Sequence, residues 1–195
     1  MQAESMEFQH VNVKIFVDGD LAVDPARFIE VFHEWINTES LNELLIDVAD
    51  YRHVPAGPGV LLIAHEADYS MDNGGGRWGL RYNRKAAVDG ANADRFRQAL
   101  QSAAKACGLL EERFANDGPL KFSRHEMELF INDRALAPNT TATFASCRPE
   151  LEAFLAGLFG HGGFSMTHVD DPRARFGVIV ESARPLDLQV LAGQV

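Results

Sequence analysis

Val11-Asn12-Val13-Lys14-Ile15-Phe16-Val17 sets apolar Val11, Val13, Ile15 and Val17 against His10, Asn12 and Lys14. That period of two marks a strand with one buried face. Asp18-Gly19-Asp20 then turns the chain, and Asp24-Pro25 opens a helix, because Asp can cap free amides and proline suits the first helical position. Phe28, Val31, Phe32 and Trp35 follow at helical spacing. The stretch has an echo: Lys14-Ile15-Phe16-Val17-Asp18 aligns with Glu128-Leu129-Phe130-Ile131-Asn132, 114 residues on from Ile15 to Leu129. Each copy is followed by a polar turn and a Leu-Ala pair, Leu21-Ala22 or Leu136-Ala137.

Between the copies, three strands are expected over 44–53, 60–70 and 77–85, separated by Pro55-Ala56-Gly57-Pro58-Gly59 and Asp72-Asn73-Gly74-Gly75-Gly76. Turn clusters between β-rich runs indicate hairpins. Asn92 opens a connecting helix through Phe96, Leu100 and Ala103 that Gly108 is expected to end. After the second copy, Pro149 to Phe159 reads as the counterpart helix, and Gly177-Val178-Ile179-Val180 repeats Gly59-Val60-Leu61-Leu62. Leu186, Leu188 and Val190 supply a last alternating strand. The expected fold is α+β: two similar βαβββ-like halves, an internal duplication, with a mainly antiparallel sheet and helices packed on one face. Residues 1–7 are expected to be a disordered N-terminal segment, and 8–195 a single globular domain of two halves, 8–118 and 119–195.

The βαβββ order resembles the paired modules of the vicinal oxygen chelate family, which holds a divalent metal in a half-open sheet with His and Glu ligands. The resemblance implies a ligand at the position of His10 on the first strand; its counterpart in the second copy is Arg124, and the fourth strand offers no Glu. A ferredoxin-like pair of βαβ units fits nearly as well.

Lys plus Arg number 18 against 28 Asp plus Glu, a formal charge of −10, which repels a polyanion unless one face is locally basic. The dense basic stretch Arg77, Arg81, Arg84 and Lys85 is expected to be salt-bridged by Glu66 and Asp68, so nucleic acid is not an expected partner. No run reaches the 18 or so apolar residues of a membrane helix, and 1–10 has neither the basic nor the apolar region of a secretory signal. A soluble, cytoplasmic protein is expected. Two distant cysteines, Cys107 and Cys147, suit reduced core thiols better than a disulfide framework. Of these, Cys147 is the better thiolate candidate, placed before a helix and next to Arg148.

If Ser70 pairs with Arg77 across the Gly-rich turn, Tyr69 faces Trp78, Glu66 faces Arg81 and His65 faces Tyr82, with His65, Tyr69, Trp78 and Tyr82 on one aromatic face. If His53 pairs with Val60, Val48 lies opposite His65 and Asp50 diagonal to it. His65, Asp50 and Tyr82 then form the candidate catalytic cluster, and Trp78, Tyr69 and Tyr82 the candidate ligand-binding wall. A carboxylate beside a buried imidazole raises its pKa and fixes its tautomer, as a general base or metal ligand requires. The bland alternative is a core histidine satisfied by its neighbours.

His168-Val169-Asp170 offers a second imidazole and carboxylate pair for a divalent ion, against the plainer reading of a polar hairpin end. His33-Glu34 and His65-Glu66 lack the second His of a zincin, Gly74-Gly75-Gly76 precedes a strand rather than a helix, and no Gly-x-Ser-x-Gly elbow occurs. Two functions follow: binding of a small molecule or a divalent metal through a concave apolar sheet face, or a non-catalytic structural or interaction protein that forms a homodimer.

Overall fold

A computed structural model describes residues 6–116, 118–171 and 173–193. Its strands are β1 (Val11–Val17), β2 (Leu45–Tyr51), β3 (Gly59–Ala64), β4 (Ala67–Asp72), β5 (Gly79–Arg84), β6 (Phe122–Ile131), β7 (Phe164–His168) and β8 (Gly177–Ser182). The helices are α1 (Arg27–Thr38), α2 (Asn92–Arg113), α3 (Thr141–Phe159) and the short α4 (Leu188–Ala192). All eight strands form one antiparallel sheet in the order β2-β3-β4-β5-β1-β6-β8-β7. The α+β class and mainly antiparallel sheet expected from the sequence are present.

Alternation along the strands sorts their side chains. Val11, Val13 and Ile15 of β1, Leu80 and Tyr82 of β5, and Met127, Leu129 and Ile131 of β6 join Phe28, Phe32, Phe96 and Leu155 of the helices in one buried cluster. Phe28 meets Phe114 edge-on at 5.4 Å, and Phe96 meets Phe154 at 5.5 Å, so α1, α2 and α3 share one layer. Phe16 and Phe130 are also buried, at 4% and 3% exposure, yet lie outside that cluster. They project from the other face of the sheet, which loops and the short turn at Gly74–Gly76 partly shield and which no α-helix among the described residues covers.

The strand count differs between the halves. The run 60–70, expected as one strand, is two: Ala64 and Ala67 are both fully buried in the same cluster although three residues apart, which a continuous period-two strand cannot achieve. His65 and Glu66 make the turn, with the His65 amide donating to the Leu44 carbonyl at 2.8 Å. The last expected strand is α4 instead. Asp187 caps it, its carboxylate accepting from the amides of Gln189 and Val190 at 3.0 Å, and Leu188 and Leu191 bury at helical spacing. The first half thus carries five strands and the second three.

Helix limits shift too. Gly108 does not end α2, which continues because Leu110 and Phe114 still have core to bury. Likewise, Thr140 caps α3 nine residues before Pro149, its hydroxyl accepting from the Thr143 amide at 3.1 Å, so Pro149 lies inside the helix.

Both expected hairpin registers are corrected. Tyr69 pairs with Tyr82, and Ser70 with Arg81, because β4 runs on to Asp72 and the connection spans 73–78. That slip of four preserves the face of every residue. In the other hairpin Asp50, not His53, pairs with Val60, since turns at Tyr51–Val54 and Val54–Gly57 consume the intervening residues. A slip of three exchanges the faces. Gly59 closes this loop at φ 64°, and a Cβ there would stand 2.0 Å from the Met71 carbonyl oxygen.

Of the segment expected to be disordered, residues 1–5 lie outside the described residues. Residues 6 and 7 are tied down: the Met6 carbonyl accepts from Asn92 Nδ2 at 2.7 Å, and Glu7 pairs with Arg95 at 2.7 Å.

Candidate functional site

The residues singled out from the sequence do not gather. His65 is exposed on the β3–β4 turn. Asp50 lies opposite Val60, five residues down β3 from His65, a distance of about 17 Å at about 3.4 Å per residue. Its exposed carboxylate is held to about 2 by hydrogen bonds from Arg52. Tyr82 is fully buried beneath α2, where Gln98 Nε2 donates to its hydroxyl at 2.8 Å, and burial pushes its pKa up. Tyr69 meets the Tyr82 ring edge-on at 5.1 Å, and half-buried Trp78 packs against the core. The aromatic face is therefore real, but the helices lie on it.

Nor does the second pair converge. His168 Nε2 is 2.7 Å from Asn139 Oδ1 and its ring stacks on Phe144 at 5.3 Å, whereas Asp170 is exposed. Cys147 lies within α3, where burial pushes its thiol up to about 12. Among the described residues no three His, Cys, Asp or Glu side chains come together to hold a metal ion. The described residues thus do not assemble the donor set that the vicinal oxygen chelate resemblance implies.

The opposite face of the sheet holds a different constellation. One row of cross-strand partners reads Ser70, Arg81, Lys14, Glu128. Lys14, 2% exposed, spends its ammonium on Asp72 Oδ1 at 2.7 Å and on the carbonyls of Gly74 and Arg77 at 3.0 and 2.7 Å. Gly79 makes this reach possible, since a Cβ there would stand 3.0 Å from the Lys14 stem. Burial nevertheless lowers the Lys14 pKa, against the opposing pull of Asp72.

Beside this pair opens a cleft of about 510 Å³, floored by Lys14, Asp72, Arg81, Glu128 and Phe130 and walled by residues 56–58, 74–75, 171 and 173–175. The Arg81 guanidinium lies 4.4 Å from the Phe130 ring centroid and that of Arg175 lies 5.1 Å from it, so two cations share one ring. Arg81 gives Nη1 to Asp72 Oδ2 at 3.2 Å, and Arg175 gives Nη1 to Asn132 Oδ1 at 3.1 Å. Their remaining N–H groups reach no acceptor among the described residues. Burial, and then the Arg81 charge, lower the Arg175 pKa. Glu128 faces both cations without a hydrogen bond among the described residues, and burial raises its pKa. Arg134 and Arg173 stand at the rim, where Arg134 donates to the Arg173 carbonyl and Arg173 pairs with Asp171 at 3.2 Å.

Five cations, Lys14, Arg81, Arg134, Arg173 and Arg175, thus meet three carboxylates, Asp72, Glu128 and Asp171, in a chain of net charge −10. Such a cleft can receive a planar or tetrahedral oxyanion between guanidinium forks, with Glu128 able to exchange a proton next to it. The basic stretch of the sequence is accordingly divided: Arg84 and Lys85 pair with Glu66 and Asp68 as expected, at 2.9 and 2.7 Å, whereas Arg77 and Arg81 turn to Glu126 and Asp72. The sequence signal for this site is a charge at the alternate, off-core position of each of two central strands, Lys14 of β1 and Glu128 of β6.

Comparison with protein-family models, with curated proteins and with solved structures finds no match to this chain. No helix among the described residues is long and apolar enough to cross a membrane.

Proposed function

We propose that the chain binds a small anionic molecule, carrying a carboxylate or phosphate, in the cleft on the uncovered sheet face. The observation that carries this reading is the pair Arg81 and Arg175, stacked on the one Phe130 ring with most of their donors unspent. Like charges held side by side and partly out of water are relieved by an anion between them. A volume of about 510 Å³ accommodates a metabolite-sized guest. Lys14 is a framework residue in this reading, because its donors are already spent.

The test is isothermal titration with inorganic phosphate and with citrate at constant ionic strength. Saturable binding of either, weakened about tenfold to a hundredfold by Arg175→Ala, is expected for loss of charge-assisted hydrogen bonds worth about 1.5–3 kcal/mol. Equal affinity in the variant, or no binding at all, removes the proposal.

The cleft straddles β1 and β6, where Lys14 and Glu128 both align in the sequence repeat and stand opposite one another. A residue that faces its own counterpart supports an approximate twofold there, and with it the duplicated origin. Two free, buried thiols suit a reducing compartment, and we place the protein in the cytoplasm.

A homodimer is the second reading, and edge strand β2 favours it. Leu44, Ile46, Tyr51 and Val54, at 67%, 54%, 41% and 40% exposure, crowd this margin of the sheet, whereas the other edge strand, β7, shows solvent Ser165 and Thr167. An exposed apolar edge is a template for pairing with a second copy.

A further inference from the structure

An anion alone would leave one group of the cleft unanswered. Lys14 and Asp72 spend their charges on each other at 2.7 Å, and Arg173 at the rim pairs with Asp171 at 3.2 Å. Glu128 lines the same cleft and forms no hydrogen bond or ion pair among the described residues. Nor is its carboxylate sealed off. Among the described residues, the buried side-chain atoms without a partner are Asn12 Oδ1, Glu43 Oε2, Asn73 Oδ1 and Gln98 Oε1. The two Glu128 oxygens, and the unspent nitrogens of Arg81 and Arg175, therefore keep surface that a guest can touch.

Strand register gathers these groups around one ring. Arg81, Lys14 and Glu128 are successive cross-strand partners on β5, β1 and β6, and Phe130 follows Glu128 on the same face. The guanidinium carbons of Arg81 and Arg175 lie 4.4 and 5.1 Å from the Phe130 centroid, so they stand no farther apart than those distances combined. Gly177 pairs with Phe130, and the point a Cβ would take there is 3.3 Å from Glu128 Oε1 and 3.5 Å from Phe130 Cβ. The carboxylate thus lies at the base of the ring that both cations flank. Lys14, which stands between Arg81 and Glu128, has its three N–H bonds on Asp72, Gly74 and Arg77 and has none left for Glu128. Burial outweighs the pull of Arg81 on the Glu128 pKa, so its neighbours do not offset its loss of water.

We propose that the guest of this cleft is an acidic amino acid, whose two anionic groups engage Arg81 and Arg175 and whose ammonium engages Glu128. The inference rests on the anion-binding reading of the cleft and narrows it. Charge decides the class. Around the Phe130 ring the unspent groups are two guanidiniums and one carboxylate, and a molecule with two anionic groups and one ammonium is their complement. A plain dicarboxylate satisfies the arginines but sets a like charge before Glu128. A neutral zwitterion answers Glu128 but leaves one guanidinium unmet.

The probes are L-glutamate, glutarate, which lacks the ammonium, and L-alanine, which lacks the second carboxylate, titrated calorimetrically at neutral pH and constant ionic strength. L-Glutamate is expected to bind saturably and at least tenfold more tightly than either of the others. Glu128→Gln, checked for native circular dichroism, is expected to erase the preference for glutamate over glutarate while both still bind, because the amide keeps the shape and loses the charge. Should the variant fail to fold, the three affinities of the parent still decide the question. Glutarate or alanine binding as tightly as glutamate overturns the assignment, as does a preference for glutamate over glutarate that survives Glu128→Gln. So does binding of phosphate or citrate without binding of glutamate, in which case the anion site stands and its narrower ligand falls. Absence of binding by every anion, phosphate included, removes the cleft reading and this inference together.

Discussion

Lys14 and Asp72 hold each other at 2.7 Å in the middle of the uncovered sheet face, with 3% of either side chain accessible. They sit on strands that are not neighbours, β5 running between them, so the pair ties β1 to the β4–β5 turn across the intervening strand. Asp72 completes the knot by accepting from the Gly74 amide at 3.0 Å and from Arg81 at 3.2 Å. The floor of the cleft is therefore fixed before any ligand arrives, which is what positions Arg81.

Lys14→Met is expected to destabilise the fold by about 3 kcal/mol, the cost of leaving one partner of a buried pair behind. Arg81 remains on Asp72 and limits the damage. Lys14→Met combined with Asp72→Asn should cost less than the sum of the two single changes, because neither charge is then stranded. Urea unfolding of the four proteins measures this, and strict additivity would mean that the pair is not coupled.

Glu128 sets a pH dependence. Its folded pKa is raised above the usual 4.5, chiefly by burial, so the native state holds this proton more tightly than the unfolded chain does. The contribution to stability is therefore complete below the unfolded pKa and is lost as pH rises through the folded one. Glu128→Gln keeps the neutral shape at all pH values. The variant is expected to unfold at a higher temperature than the parent at neutral pH, and the gap should close as the pH falls toward 4.5. A gap that is constant with pH would show that Glu128 does not titrate in that window.

Both cysteines are buried, and burial raises both thiols, Cys147 up to about 12 and Cys107 well above its ordinary value. Neither supplies thiolate near neutral pH. Ellman's reagent at pH 8 is expected to leave the native protein unmodified and to titrate two thiols after guanidinium unfolding. Rapid native reaction at Cys147 would restore it as a nucleophile.

The sequence shows the fold where a single period governs a whole element. β1, α1 and β6 are legible because Val11, Val13, Ile15 and Val17, or Phe28, Phe32 and Trp35, repeat without interruption. The β3–β4 break is carried by nothing more than the spacing of Ala64 and Ala67, two small residues with little hydropathic contrast, and α4 by the capping Asp187, set within an apolar trio, Leu186, Leu188 and Val190, that also alternates. The site was harder to read because an aromatic face looks the same whether it lines a pocket or meets a helix. Tyr69 and Tyr82 share one face, and α2 covers it. The charged face is not legible in the sequence because partners such as Lys14 and Asp72 lie 58 residues apart in the chain, and the strand order brings them together.

Strand β2 tests the homodimer. An edge strand offers unpaired backbone amides and carbonyls, and most chains blunt it with lysine, proline or a bulge. β2 has a bulge between Leu45 and Asp47, yet the residue it displaces is Ile46, which stands 54% exposed. Burying Ile46, Leu44 and Val54 against a second copy at about 25 cal/mol per Å² of apolar surface, together with backbone pairing, favours an edge-to-edge dimer. Ile46→Lys puts a charge at the centre of that contact, and in a twofold dimer it does so twice. Size-exclusion chromatography with light scattering is expected to show a dimer for the parent, and a monomer with the same circular dichroism for Ile46→Lys. A parent that is monomeric at the highest soluble concentration would rule the pairing out, and a dimer undisturbed by Ile46→Lys would move it to another surface.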